Sequence, residues 1–140
     1  LISPLWFAIR AYRQMKTQDG VGCIVNVSSG AGHPAGSPTL VSYGAAKAGL
    51  GVYMQGLAHK GGDAGKRLRA VTIKPGFTDT PMTDGLPKGG PLWSSADRVA
   101  QDIVAALSGG GPVRYSPWFW RFVMLIIRLL PQPVMDRLKL

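Results

Sequence analysis

Tyr43 and Lys47 stand four residues apart in the stretch VSYGAAKAGL, whose remaining residues are mostly small. On a helix, positions i and i+4 lie one above the other, so the phenol and the ammonium share a face. A tyrosine in water gives up its proton near about pH 10, which makes it a poor acid or base at neutral pH. An ammonium one turn away favours the phenolate and lowers that value. Such a pair can trade a proton with an alcohol or carbonyl oxygen, provided a further donor holds that oxygen. Ser28 and Ser29 are placed for this task. They follow Cys23 to Val27 (CIVNV), an apolar β-branched run that reads as a strand buried on both sides. In open α/β sheets, ligands bind at the carboxyl ends of the strands. Alone, Tyr-x-x-x-Lys is a frequent chance match, and a packed tyrosine beside a solvated lysine is its competing reading.

The elements that must hold these residues alternate along the chain. Leu5, Trp6, Ile9 and Tyr12 are spaced for one helical face, with Ser3-Pro4 as a start signal and DGVG at Asp19 to Gly22 as the stop. After the strand comes a loop rich in glycine and proline from Gly30 to Pro38. A helix is then predicted from about Val41 to Lys60, with Leu50, Tyr53, Met54 and Leu57 on its apolar face. GGDAG breaks it, and LRAVTI, Leu68 to Ile73, is a second strand. PGFTDTPM leads into a variable loop that includes TDGLPKGGPLWSS, Thr83 to Ser95. Ser95-Ala96-Asp97 opens another helix through Leu107, and PVRYS follows as a third short strand. Strands and helices alternating at this spacing predict an α/β fold with a parallel sheet.

Composition narrows the function. The 140 residues are 46% hydrophobic and 16% charged, as expected of a globular chain. The net charge of +9 comes from 16 basic residues against 7 aspartates. Apart from KRLR, Lys66 to Arg69, and the tail, the basic residues are scattered. No zinc-ligand spacing, RNA-binding aromatic signature or basic helix repeat accompanies them, so neither nucleic-acid binding nor a metal site is expected. The single Cys23 excludes an internal disulfide and suits a reducing compartment, which points to the cytoplasm. The chain begins at Leu1 with no charged leader and no cleavage site, and reads as a piece of a longer protein.

The C-terminal stretch stands apart. WFWRFVMLIIRLL, Trp118 to Leu130, is nearly continuous apolar sequence ended by Pro131. At about 1.5 Å per residue it spans roughly 20 Å, short of the roughly 30 Å hydrocarbon core. Arg121 and Arg128 are seven residues apart and share a face, while the other faces are apolar. The stretch suits two settings: packing on protein, or lying in the headgroup layer of a membrane.

Three motifs taken together change the weight of the tyrosine and lysine. IVNVSSGAG, then YGAAKAGL 14 residues after Ser29, then PGFTDTPM after the next strand, closely resemble the short-chain dehydrogenase/reductase family in order and spacing. The resemblance runs from the first residue to about Leu107. It implies the C-terminal half of a Rossmann-fold, doubly wound parallel sheet and an NAD(P)-dependent oxidoreductase that interconverts ketones and secondary alcohols. By the family pattern Tyr43 is the general acid/base. Lys47 lowers the tyrosine's pKa and hydrogen-bonds the nicotinamide ribose. Ser29 holds the substrate oxygen, with Ser28 as its structural neighbour. Pro75, Gly76 and Thr78 line the nicotinamide side, and Thr80 reaches the carboxamide or phosphates. The family also implies a homodimer or homotetramer, formed through the Val41 to Lys60 helix.

The family's cofactor signature, T-G-x-x-x-G-x-G, and its N-N-A-G motif are not in this sequence. GAGHPAG, Gly30 to Gly36, has the spacing G-x-G-x-x-x-G, and Pro34 and Pro38 bar a prompt helix start; in the family this loop borders the substrate pocket. The family's catalytic asparagine falls about one position before Leu1, so the cofactor (NAD or NADP) meets this chain through its nicotinamide half. Accordingly, the strand at Cys23 is expected to expose an edge, and the isolated 140 residues are expected not to turn over. The division reads as a partial Rossmann domain over 1–116 and an amphipathic helical tail over 117–140. That tail resembles those of bacterial decaprenylphosphoryl-2-keto-ribose reductases, which implies a lipid-linked or bulky apolar substrate handled at the inner face of a membrane. The alternative is a non-catalytic member of the fold, serving as a membrane-surface or partner-binding subunit. His33 and His59 read as a loop and a surface histidine, Cys23 as a small core residue, and Asp79 as a turn residue.

Overall fold

The computed structural model describes residues 1–30, 41–63, 68–135 and 137. His33, the loop that carries it and Lys66 lie outside the described residues. In chain order the elements are α1 (Ile2–Lys16), β1 (Gly22–Val27), α2 (Val41–Asp63), β2 (Leu68–Pro75), β3 (Phe77–Asp79), β4 (Trp93–Ser95), α3 (Ala96–Ser108), β5 (Val113–Ser116), α4 (Trp120–Leu129) and α5 (Gln132–Met135).

β1, β2 and β5 form a parallel sheet in that order. β1 pairs with β2 from Gly22↔Leu68 to Val27↔Ile73, and β2 with β5 from Thr72↔Val113 to Pro75↔Ser116. Central β2 is buried along most of its length, because it has a strand on each side and helices on both faces. Successive strand side chains point to opposite faces. On one face Ala70 meets Leu50, Met54 and Leu57 of α2 and Ala8 of α1. On the other, Val71 and Ile73 meet Ala106, with Ile103 beside them. Burying each large aliphatic side chain of this kind stabilises by about 1.5–3 kcal/mol. The doubly covered parallel sheet is the α/β fold expected from the alternation.

Four local expectations are corrected. β1 is half-buried from Gly22 to Asn26 and exposed at Val27, not buried on both sides, because among the described residues it is paired only to β2. The apolar face of α1 turns on Leu5, Ala8 and Tyr12, which pack into the core. Trp6 instead points outward, 52% exposed, with Phe7 edge-on to it and the Arg10 guanidinium over its ring. The helix also starts at Ile2, ahead of Ser3-Pro4. Finally, the segment after Pro75 is not wholly irregular: β3 and β4 pair in parallel, Phe77↔Trp93 to Asp79↔Ser95.

α3 begins as its sequence predicts. Ser95 accepts a hydrogen bond from the Arg98 amide at 3.2 Å, and Asp97 lies in the positively polarised first turn. Its other end is held from the sheet. Arg69 of the KRLR run donates to the carbonyls of Leu107 (2.8 Å), Ala106 (3.2 Å) and Gly110 (3.3 Å). That guanidinium closes a helix C-terminus, where unpaired carbonyls attract cations.

Candidate active site

The carboxyl end of β1 and the first turns of α2 are tied together by two bonds in opposite directions. The Lys47 ammonium donates to the Val27 carbonyl at 2.9 Å, and the Ser28 hydroxyl donates to the Lys47 carbonyl at 3.4 Å. Ser28 is also held to the sheet, its amide donating to the Ile73 carbonyl at 2.8 Å, and it is buried. Ser28 is thus committed to structure, and Ser29, half-buried, is the next residue outward. Tyr43 stands one turn before Lys47, half-buried, with the ammonium 5.6 Å from its ring centroid. Gly44, buried, and half-buried Ala46 and Ala48 let this end of α2 approach its neighbours closely.

The second strand ends beside this corner. Pro75 closes β2, and the Gly76 amide donates to the Ser116 carbonyl at 2.9 Å. The Thr78 hydroxyl donates to the Gly76 carbonyl at 3.2 Å. Thr83, not singled out from the sequence, organises the turn. Its hydroxyl accepts from the Thr80 amide at 3.2 Å and lies 2.8 Å from the Thr78 carbonyl and 2.9 Å from that of Thr80. Lys88 then bridges Asp79 and Asp84, each at 2.6 Å, and these two contacts raise its pKa. Asp79, expected as a turn residue, instead ends β3 and has a partner across the loop.

The tail also reaches the site, which the sequence did not reveal. Trp120 and Met124, one turn apart on α4, are buried against the loops that follow the strands. A Cβ at Gly76 would fall inside the Trp120 indole, so the close approach requires glycine. A Cβ at Gly30 would lie 3.5 Å from the Met124 sulfur and 3.7 Å from the Pro75 carbonyl. Phe77 stacks on Trp93 (5.4 Å) and meets Trp120 edge-on (5.5 Å), and the Trp120 Nε1 donates to the Leu92 carbonyl at 3.2 Å. Each aromatic pair adds about 0.5–1.5 kcal/mol beyond its buried area. The only trace in the sequence is the i, i+4 spacing of Trp120 with Met124, which says nothing of what they meet.

Beside this contact, Lys74 and Tyr115 are direct neighbours on β2 and β5, with the ammonium 5.8 Å from the phenol ring centroid. Burial, and then the positive charge of Arg128, push the Lys74 ammonium below the usual lysine range. Burial pushes the Tyr115 phenol up, with Arg128 opposing.

A parallel sheet covered on both faces, with hydroxyls and an ammonium gathered at its carboxyl edge, defines the class of α/β proteins that bind ligands at that edge. A family model described as short chain dehydrogenase matches residues 1–89, and the chain belongs to that family. An uncharacterized oxidoreductase of Mycobacterium tuberculosis is 38% identical over 121 residues, covering 85% of this chain and 46% of that protein. Another, from Streptomyces coelicolor, is 36% identical over 124 residues, covering 86% of this chain and 46% of its own length. The chain thus spans about half the length of these relatives. The fold is similar to the crystal structure of a short chain dehydrogenase from Burkholderia cenocepacia in complex with NADP. The TM-score is 0.74 at 23% identity, over 96% of this chain and 57% of that one.

Proposed function

We propose that the protein carrying this chain is a nicotinamide-dependent oxidoreductase that interconverts a ketone and a secondary alcohol, with Tyr43 as proton donor and acceptor. The observation that carries this reading is the double tie between Lys47 and the end of β1. It fixes Tyr43, one turn earlier, and Ser29, one residue later, on either side of the same junction. The residues present fit the nicotinamide half of NAD or NADP. Lys47 offers an ammonium to ribose hydroxyls, and Thr78 and Thr80 offer polar groups along the same edge. When bound, the reduced cofactor supplies the hydride to the carbonyl carbon. Ser29 donates a hydrogen bond to the carbonyl oxygen and polarises it. The Tyr43 hydroxyl gives its proton to that oxygen as the alcohol forms, and the Lys47 charge offsets the phenolate left behind.

The tail supports a bulky apolar or lipid-linked substrate met at a membrane surface. The face of α4 away from the domain presents Phe122, Leu125, Ile126 and Leu129, all exposed, flanked by Arg121 and Arg128. Trp118 is exposed next to them. Apolar residues edged with arginine favour the headgroup layer of anionic lipid. Among the described residues no helix is long and apolar enough to cross a membrane. The outward Ile2, Trp6 and Phe7 of α1 and Val41 and Val52 of α2 support self-association through these helices.

The test uses the intact protein with NADH and NADPH and a panel of ketones of increasing apolar length. Cofactor oxidation is followed by absorbance, with and without vesicles. Oxidation that rises with apolar length and drops sharply in Ser29→Ala is the expected result. No oxidation with any ketone, or full activity in Ser29→Ala, contradicts the reading.

A further inference from the structure

Trp120, Met124 and Arg128 are spaced four apart on α4, so they form one stripe along the helix. The first meets Gly76 and the second meets Gly30. The third, one turn further on, is exposed, and its positive charge reaches both Lys74 and Tyr115, which are paired across β2 and β5. Lys74 is half-buried, its ammonium resting near the Tyr115 ring. Among the described residues no carboxylate pairs with Lys74 or with Arg128. Two residues before Lys74, on the same face of β2, Thr72 is fully buried and its hydroxyl has no hydrogen-bond partner among the described residues. The Arg128 charge repels the half-buried Lys74 ammonium, and a half-buried cation is costly unless an anion sits beside it.

We propose that Lys74, Arg128 and the Tyr115 hydroxyl form a subsite for a phosphate group, at the junction of β2, β5 and α4. Two positive charges and one neutral hydroxyl match a tetrahedral oxyanion, which carries up to two negative charges and several acceptor oxygens. The guanidinium presents paired donors, and the lysine a compact charge that bonds one oxygen. Arg128 is exposed, which lets in either a soluble phosphate ester or the phosphate of a lipid whose chains lie on the outer face of α4. The subsite does not depend on the proposed hydride chemistry, because binding alone reads it.

Two binding measurements on the intact protein test it: calorimetric titration with phenyl phosphate, and co-sedimentation with phosphatidylcholine vesicles with and without phosphatidylglycerol. Lys74→Met and Arg128→Met keep most of the side-chain volume, and Tyr115→Phe keeps the ring. Far-UV circular dichroism and cofactor titration establish that each variant is folded. The expected result is that each methionine variant weakens phosphate binding about tenfold, the usual worth of one charge-assisted bond, and Tyr115→Phe weakens it less. If the vesicle binding that phosphatidylglycerol confers falls in parallel, the phosphate belongs to a lipid. If only the phenyl phosphate affinity falls, it belongs to a soluble ester. An unmodified protein that binds neither, or methionine variants that bind both unchanged, overturns the proposal. Asp136→Asn serves as a control for an acid outside the described residues: a gain in phosphate affinity means that Asp136 competes for the same cations, and no change means that the site is free for a ligand. Either outcome supports the subsite, and a loss of affinity overturns it.

Discussion

The corner built by β1 and α2 and the corner built by β5 and α4 solve different problems. The first is polar and local: two hydrogen bonds join a strand end to a helix, and the groups involved lie within 20 residues of each other in sequence. The second is apolar and distant. Trp120 reaches back 44 residues to Gly76 and 28 residues to the Leu92 carbonyl (120 − 76 and 120 − 92). The first corner depends on which chemical groups are present, the second on the shape left where a side chain is missing. One holds the proposed proton donor's helix to a strand end, and the other clamps the loops that follow β1 and β2.

The largest stability effect belongs to the apolar corner. Trp120→Ala removes a buried indole from three aromatic and backbone partners and is expected to cost about 3–5 kcal/mol in urea unfolding of the intact protein. A cost below 1 kcal/mol would mean that the tail is merely appended to the domain. Next comes Gly76→Ala, which forces a methyl into the Trp120 ring and is expected to cost about 1–3 kcal/mol by overpacking. The double variant sharpens the comparison. With the indole gone the methyl has room, so the two costs should sum to more than the double variant shows. Strict additivity would place the clash elsewhere. Ser95→Ala, at the head of α3, should cost about 1 kcal/mol through loss of its cap bond and leave turnover unchanged.

The smallest effect is a pH dependence. Lys74 loses its proton in the folded chain below the usual value of 10.5, so between these two values the unfolded chain holds a proton that the folded chain has released. Stability attributable to Lys74 therefore rises as pH climbs through that window, and its penalty is fully present below it. Unfolding of Lys74→Met should lack this rise, and the difference between the two proteins should shrink towards pH 10.5. A constant difference across the window would show that Lys74 is not desolvated.

How far each corner could be read beforehand follows from the same contrast. The alternation of β1, α2, β2, α3 and β5 is carried by short-range periodicity, and Leu50, Met54 and Leu57 face the core as their spacing predicts. Tyr43, Lys47, Ser28 and Ser29 were legible because two of them are a helical turn apart and two end a strand. β3 and β4 were not, since each has three residues and their pairing spans 16 positions, Phe77↔Trp93. Trp6 misled because its spacing fits the inner face, while small Ala8 is the residue that lets α1 come close. Of the two settings considered for the tail, packing on protein holds for Trp120 and Met124, which meet the domain, while Leu125, Ile126 and Leu129 are exposed. Periodicity finds such a two-sided helix but cannot say which partner takes each side.

The central claim is that Tyr43 moves the proton in a hydride transfer while taking little part in holding the fold. Rapid-mixing measurement of single-turnover cofactor oxidation in Tyr43→Phe tests it most directly, with the intact protein saturated with nicotinamide cofactor and a ketone that the unmodified protein reduces. The predicted result is a hydride-transfer rate lower by about 10²–10⁴, with cofactor affinity and unfolding midpoint nearly unchanged. A Tyr43→Phe protein that transfers hydride at the unmodified rate would contradict the account.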